Sequence, residues 1–124
     1  MINRKIYKLT NLWYSLNMFE KIDVKSIFNI KKLIISLLKS SENPFVAQSP
    51  VLDANILLGH FLGISKTELM CNDSRILTET ELSLLKNAVE KRLSGLPVAY
   101  ITNRKEFFGL DFYVDQNVLI PKPD

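Results

Sequence analysis

RLSGLPVAYITNRKEFFGLDFYVDQNVLIPKPD, residues Arg92–Asp124, departs from the helical pattern of everything before it. It places Pro97, Gly109, Pro121 and Pro123 among short aromatic and β-branched runs, a composition of strands and turns rather than of helix. After Gly95 the period is read as extended: Val98, Tyr100 and Ile101 lead to Thr102-Asn103, where Asn tolerates the left-handed conformation of a turn. Glu106-Phe107-Phe108 and Asp111-Phe112-Tyr113-Val114 then flank Gly109-Leu110, and Asp115-Gln116-Asn117 precedes Val118-Leu119-Ile120. The expectation is a β-hairpin or small meander. A lone hairpin is marginal in water, so its aromatic face should lie against a helical body or another domain.

Upstream, the pattern is helical. Ile27, Ile30, Leu33, Ile34, Leu37 and Leu38 form an apolar stripe behind Asp23 or Ser26 as N-cap, with Asn29, Lys31, Lys32, Ser36 and Lys39 on the solvated face. Asn43-Pro44 ends this helix, and residues 41–48 read as a loop. Ser49 as N-cap and Pro50 at the first helical position restart the helix, with Asp53 complementing its dipole, with Leu52, Ile56, Leu57 and the 60/61 position expected on the apolar stripe, and with Gly63 as a left-handed cap. Ser65-Lys66-Thr67-Glu68 and Thr78-Glu79-Thr80-Glu81 are capping-box patterns. The second opens a helix carrying Leu82, Leu85, Ala88, Val89 and Leu93, with Glu90, Lys91 and Arg92 on other faces, and ending before Gly95 and Pro97.

Three segments follow: 1–22 as an N-terminal extension with helix-like spacing, 23–96 as a helical bundle, and 97–124 as a β-hairpin connector. The fold class is therefore mainly α, a small helical bundle followed by a C-terminal β-hairpin. At 124 residues the chain suffices for one core. Its 47% hydrophobic and 23% charged residues argue against disorder. Net charge +3, with a pI near 9.0, permits nucleic-acid binding, but the basic residues are dispersed. The run Leu33–Leu38 is far short of the roughly 20 apolar residues that span a bilayer. The N-terminus lacks an apolar core and cleavage site for export, so the expected compartment is a reducing cytoplasm.

Candidate chemistry is sparse. The sole cysteine, Cys71, reads as a small buried hydrophobe, and the sole histidine, His60, as a packed or hydrogen-bonded side chain. One Cys and one His cannot assemble a structural zinc site. Gly59, Gly63, Gly95 and Gly109 are too dispersed for a phosphate or cofactor loop. Asp53 and Glu68 each have a capping explanation, which leaves no paired carboxylates for acid–base work.

The ordered series Leu52-Asp53-Ala54-Asn55-Ile56-Leu57-Leu58, Gly95-Leu96-Pro97-Val98-Ala99-Tyr100-Ile101-Thr102, Glu106-Phe107-Phe108-Gly109-Leu110 and Val118-Leu119-Ile120-Pro121-Lys122-Pro123-Asp124 resembles the N-terminal region of the release-factor glutamine methyltransferases (PrmC/HemK-like). Lys122 stands where that family usually has Arg, and Asn103 where it commonly has Gly. The resemblance implies a helical recognition domain and hairpin, then a Rossmann-like domain that uses S-adenosylmethionine to methylate the GGQ glutamine of a peptide-chain release factor. That domain would lie beyond Asp124, so this chain alone is expected to be inactive, without a cofactor of its own, and to pair with a separate methyltransferase domain. The resemblance also implies that Phe107, Phe108, Pro121, Lys122 and Pro123 border the substrate and cofactor cleft of the complete enzyme. The alternative for Phe107 and Phe108, that they only cover the bundle, stays open. Two further alternatives are a free-standing interaction module of the translation apparatus and a basic nucleic-acid-binding domain.

Overall fold

The computed structural model describes residues 17–107, 110–114 and 119–121, with side chains described over 17–103. Residues 17–21 are helical; α1 (Ile27–Lys39), α2 (Pro44–Ala47), α3 (Pro50–Leu62), α4 (Lys66–Cys71), α5 (Glu79–Leu93) and α6 (Val98–Thr102) follow, so the fold is mainly helical. The part of the expected helix that falls on residues 1–16 lies outside the described residues.

A helix start leaves its first amides without intrahelical partners, and α1 satisfies its own from two sources. Ser26 is the N-cap, its Oγ accepting from the Asn29 N–H at 3.2 Å. The Ile27 N–H donates to the Arg75 carbonyl at 2.9 Å and the Phe28 N–H to that of Asp73 at 2.8 Å. The Leu77 N–H returns a bond to the Lys25 carbonyl at 2.9 Å. A short antiparallel bridge, Ser26 opposite Ile76, thus fastens the start of α1 to the chain ahead of α5.

From there α1 buries Ile27, Ile30, Ile34 and Leu38, one side chain per turn. They share a core with Ala54, Leu57, Leu58 and Leu62 of α3 and with Leu85, Ala88 and Val89 of α5. Phe19, Val46, Leu69 and Leu77 close it. Each buried Ile or Leu contributes about 1.5–3 kcal/mol of transfer free energy, so this cluster carries the stability of the domain.

Helix α5 is delimited by side chains at one end and backbone at the other. The Glu81 N–H donates to Thr78 Oγ1 at 3.2 Å while the Thr78 N–H donates to Glu81 Oε1 at 2.9 Å, a complete capping box. Glu81 Oε2 also accepts from Arg75 Nη2 at 2.8 Å. At the C-terminus the Gly95 N–H reaches the Arg92 carbonyl at 3.0 Å and the Leu96 N–H that of Lys91 at 3.1 Å, with Gly95 at φ +106°. This is the Schellman arrangement, and its positive φ is one that glycine adopts without steric cost.

Four sequence expectations are corrected. Residues 44–47 are not loop but one helical turn, because Asn43 Oδ1 accepts from the Phe45 N–H at 3.0 Å and Pro44 occupies the first helical position. Ser49 precedes α3 without a side-chain cap bond. Val98–Thr102 is helical rather than extended: Pro97 supplies the N-terminal carbonyl that accepts from the Tyr100 N–H at 3.0 Å, and Asn103 ends the helix in the left-handed region at φ 58°. The partly buried Val98 and Ile101 pack on the core, and that packing overrides their strand preference. Cys71 is exposed, because only Leu69 of the six-residue α4 faces inward.

Beyond Asn103 the backbone forms β1 (Arg104–Phe107), β2 (Leu110–Val114) and β3 (Leu119–Pro121). They pair antiparallel in that order, with Arg104 opposite Tyr113, Phe107 opposite Leu110, and Phe112 opposite Pro121.

Candidate protein-recognition face

Helix α3 is apolar around most of its circumference, PVLDANILLGHFL, with Asp53 as its one carboxylate. A helix of that kind cannot be oriented by periodicity, and its neighbours decide which side faces inward. Asp53, Ala54, Leu57, Leu58 and Leu62 are buried. This corrects the expectation for Leu52 and Ile56, which point outward at 57% and 41% exposure, next to Val51 at 51%. Between them sits the half-buried Asn55, whose Oδ1 is shielded from solvent and has no partner among the described residues. Phe45 in α2 is 76% exposed.

A buried ion pair holds the first turn of α3, and local sequence does not display it. Arg92 donates from Nε to Asp53 Oδ2 at 3.0 Å, from Nη2 to the Phe45 carbonyl at 2.8 Å, and from Nη1 to the Leu96 carbonyl at 3.2 Å. Its side chain is 10% exposed and that of Asp53 9%. The reading of Arg92 as lying on another face is thereby corrected, since it turns inward from the last turn of α5; Asp53, in the first turn of α3 as expected, is in addition one half of a buried ion pair. A long-range pair has no periodic signature; the available hint was that Asp53 is the single charge between Asn43 and Gly59.

Elsewhere the surface offers little chemistry. An open depression of about 500 Å³ is lined by Val24, Ser26, Phe28, Asn29, Asp73 and Ser74, with Asp73 as its one carboxylate. His60 is exposed at the end of α3, its ring edge-on to Phe61 at 4.8 Å. Among the described residues no group of three metal-ligating side chains converges, and no helix is long and apolar enough to cross a membrane. Of the residues expected to border a cleft, Phe107 closes β1 and Pro121 closes β3, two positions apart along the register of β2. Phe108, Lys122 and Pro123 lie outside the described residues.

Residues 35–102 match the family model described as the PrmC N-terminal domain. The chain belongs to that family. The match ends at Thr102, the last residue of α6, so the PrmC N-terminal domain includes the short helix that follows the Gly95 turn. Among curated proteins, the release factor glutamine methyltransferase of Chlorobaculum tepidum is 39% identical over 94 residues, covering 73% of this chain and 32% of the relative. That of Bradyrhizobium diazoefficiens is 36% identical over 100 residues, covering 81% and 32%. A bifunctional methyltransferase of Rickettsia bellii is 37% identical over 76 residues, covering 61% and 14%. The chain spans about a third or less of the length of these relatives.

Proposed function

We propose that this chain is the substrate-recognition domain of a release-factor glutamine methyltransferase, holding the release factor so that the GGQ glutamine is presented to a methyltransferase domain carried elsewhere. The observation that carries the reading is the outward face of α3, where Val51, Leu52 and Ile56 are exposed with no charged side chain among them. Apolar and aromatic side chains on a rigid element are what a protein partner buries at the centre of an interface. A face without cations is poorly suited to the phosphate backbone of a nucleic acid.

S-adenosylmethionine does not fit the described residues. Gly59 is inside α3 and Gly63 and Gly95 are helix caps, so none of these contributes to a backbone cradle for a cofactor. In this reading the cofactor belongs to the methyltransferase domain, and the isolated chain is inactive. Phe107, Phe108, Pro121, Lys122 and Pro123 would border the cleft only in that assembled enzyme, and the compartment would be the cytoplasm, where an exposed thiol such as Cys71 stays reduced.

Calorimetric titration of the chain with release factor tests the proposal directly. Binding is expected, and Leu52→Glu should weaken it by about tenfold or more, the equivalent of one interface anchor. No heat of binding from the unsubstituted chain, alone or with a methyltransferase domain supplied, removes the recognition role.

A further inference from the structure

We infer that Arg92 is a positioning residue that sets the direction in which the chain leaves the helical bundle. The exit is the turn Ser94–Pro97, and its Leu96 peptide is held at both ends. The Leu96 N–H is taken by the Lys91 carbonyl at 3.1 Å, and the Leu96 carbonyl accepts from Arg92 Nη1 at 3.2 Å. The same guanidinium is fixed by Asp53 at the start of α3 and by the Phe45 carbonyl in α2. Gly95 lies against the N-cap of α2, where a Cβ would come within 3.3 Å of Asn43 Nδ2. One planar fork therefore ties α2, α3, the end of α5 and the first residues leading to α6. An ammonium group is a single point charge and cannot span three acceptors in one plane.

Immediately after this latch comes Pro97, whose ring fixes φ at −60°, and Pro97 in turn starts α6. The backbone from Leu96 to Asn103 thus has few free torsions once Leu96 is held. Whatever the bundle binds is presented to the strand segment at an angle that Arg92 sets. This consequence for presentation rests on the recognition role proposed above; the latch itself does not.

Spin labels on Cys71, exposed at the end of α4, and on an introduced Lys105→Cys in β1 report the exit direction as a distance distribution in the full chain. With Arg92 in place the distribution is expected to be single and narrow. Arg92→Lys should broaden it about twofold while amide protection in α1 is unchanged. Asp53→Asn, which leaves both carbonyl contacts of Arg92 available, should keep it narrow. A narrow distribution in Arg92→Lys overturns the inference. So does broadening matched by an equal loss of protection in α1, because that reports stability alone. Should Arg92→Lys fail to fold, hydrogen exchange of the unsubstituted chain decides. The amides of Val98–Thr102 must open in the same event as those flanking Asp53 and Arg92, and independent fraying sinks the latch. None of these measurements uses a release factor, so a failure here is separate from a failure of the recognition role.

Discussion

Asp53 and Arg92 lie 39 residues apart in the chain and 3.0 Å apart in the fold, both nearly closed to solvent. Breaking such a pair leaves a charge buried without its partner, so Asp53→Ala is expected to lower stability by about 3–5 kcal/mol in urea unfolding. The exposed pair between Lys86 and Glu20 makes the contrast: Glu20→Ala should change stability by less than about 1 kcal/mol. Asn103 offers a second test at the same scale. Its left-handed backbone suits Gly and disfavours a β-carbon, so Asn103→Gly should be neutral to within about 0.5 kcal/mol while Asn103→Ala costs about 1 kcal/mol in thermal unfolding. The left-handed tolerance of Asn103 was legible from residue type alone. The burial of Asp53 was not, because a carboxylate in the first turn of a helix has a sufficient local explanation in the dipole.

Among the elements, α1 and α5 are those whose side chains state their own limits. Ser26, Thr78 and Glu81 cap as their spacing implies, and Gly95 terminates α5 as its position implies. Thr78→Ala removes the acceptor for the Glu81 N–H and is expected to cost about 1 kcal/mol, seen as a lower urea midpoint with unchanged slope. The short elements α2 and α6 were hidden, since four or five residues carry too little periodicity to outweigh a proline or a β-branched run. The orientation of α3 was hidden for the opposite reason, an excess of apolar residues. Its outward face yields the sharpest functional test at this scale. Leu52→Glu should leave the unfolding free energy within about 0.5 kcal/mol of the unsubstituted chain's, as exposed substitutions do, while release-factor affinity falls.

For the whole molecule, the core of α1, α3 and α5 closes around Leu57, Leu58, Leu85 and Val89, and the exit turn is bound to that core through Arg92. A ligand of the folded state stabilises it by mass action, by about 2.7 kcal/mol at a hundred times its Kd, and so raises the unfolding temperature. Release factor is expected to produce such a shift, and S-adenosylmethionine is expected to produce none in differential scanning calorimetry of the chain. A shift with the cofactor alone would place a cofactor site within this chain.

Read alone, the chain of residues specifies the local grammar: which segments are long helices, where caps and left-handed residues stop them, and, through the ordered motifs from Leu52 to Asp124, the family. Those are short-range properties, set by propensity, capping and period within a few residues. The packing of the helices, not local pattern, fixes which side of α3 faces outward and what holds the turn at Leu96. One guanidinium gathers Asp53, Phe45 and Leu96 from separate segments, and in a buried, low-dielectric site those contacts are geometrically exacting.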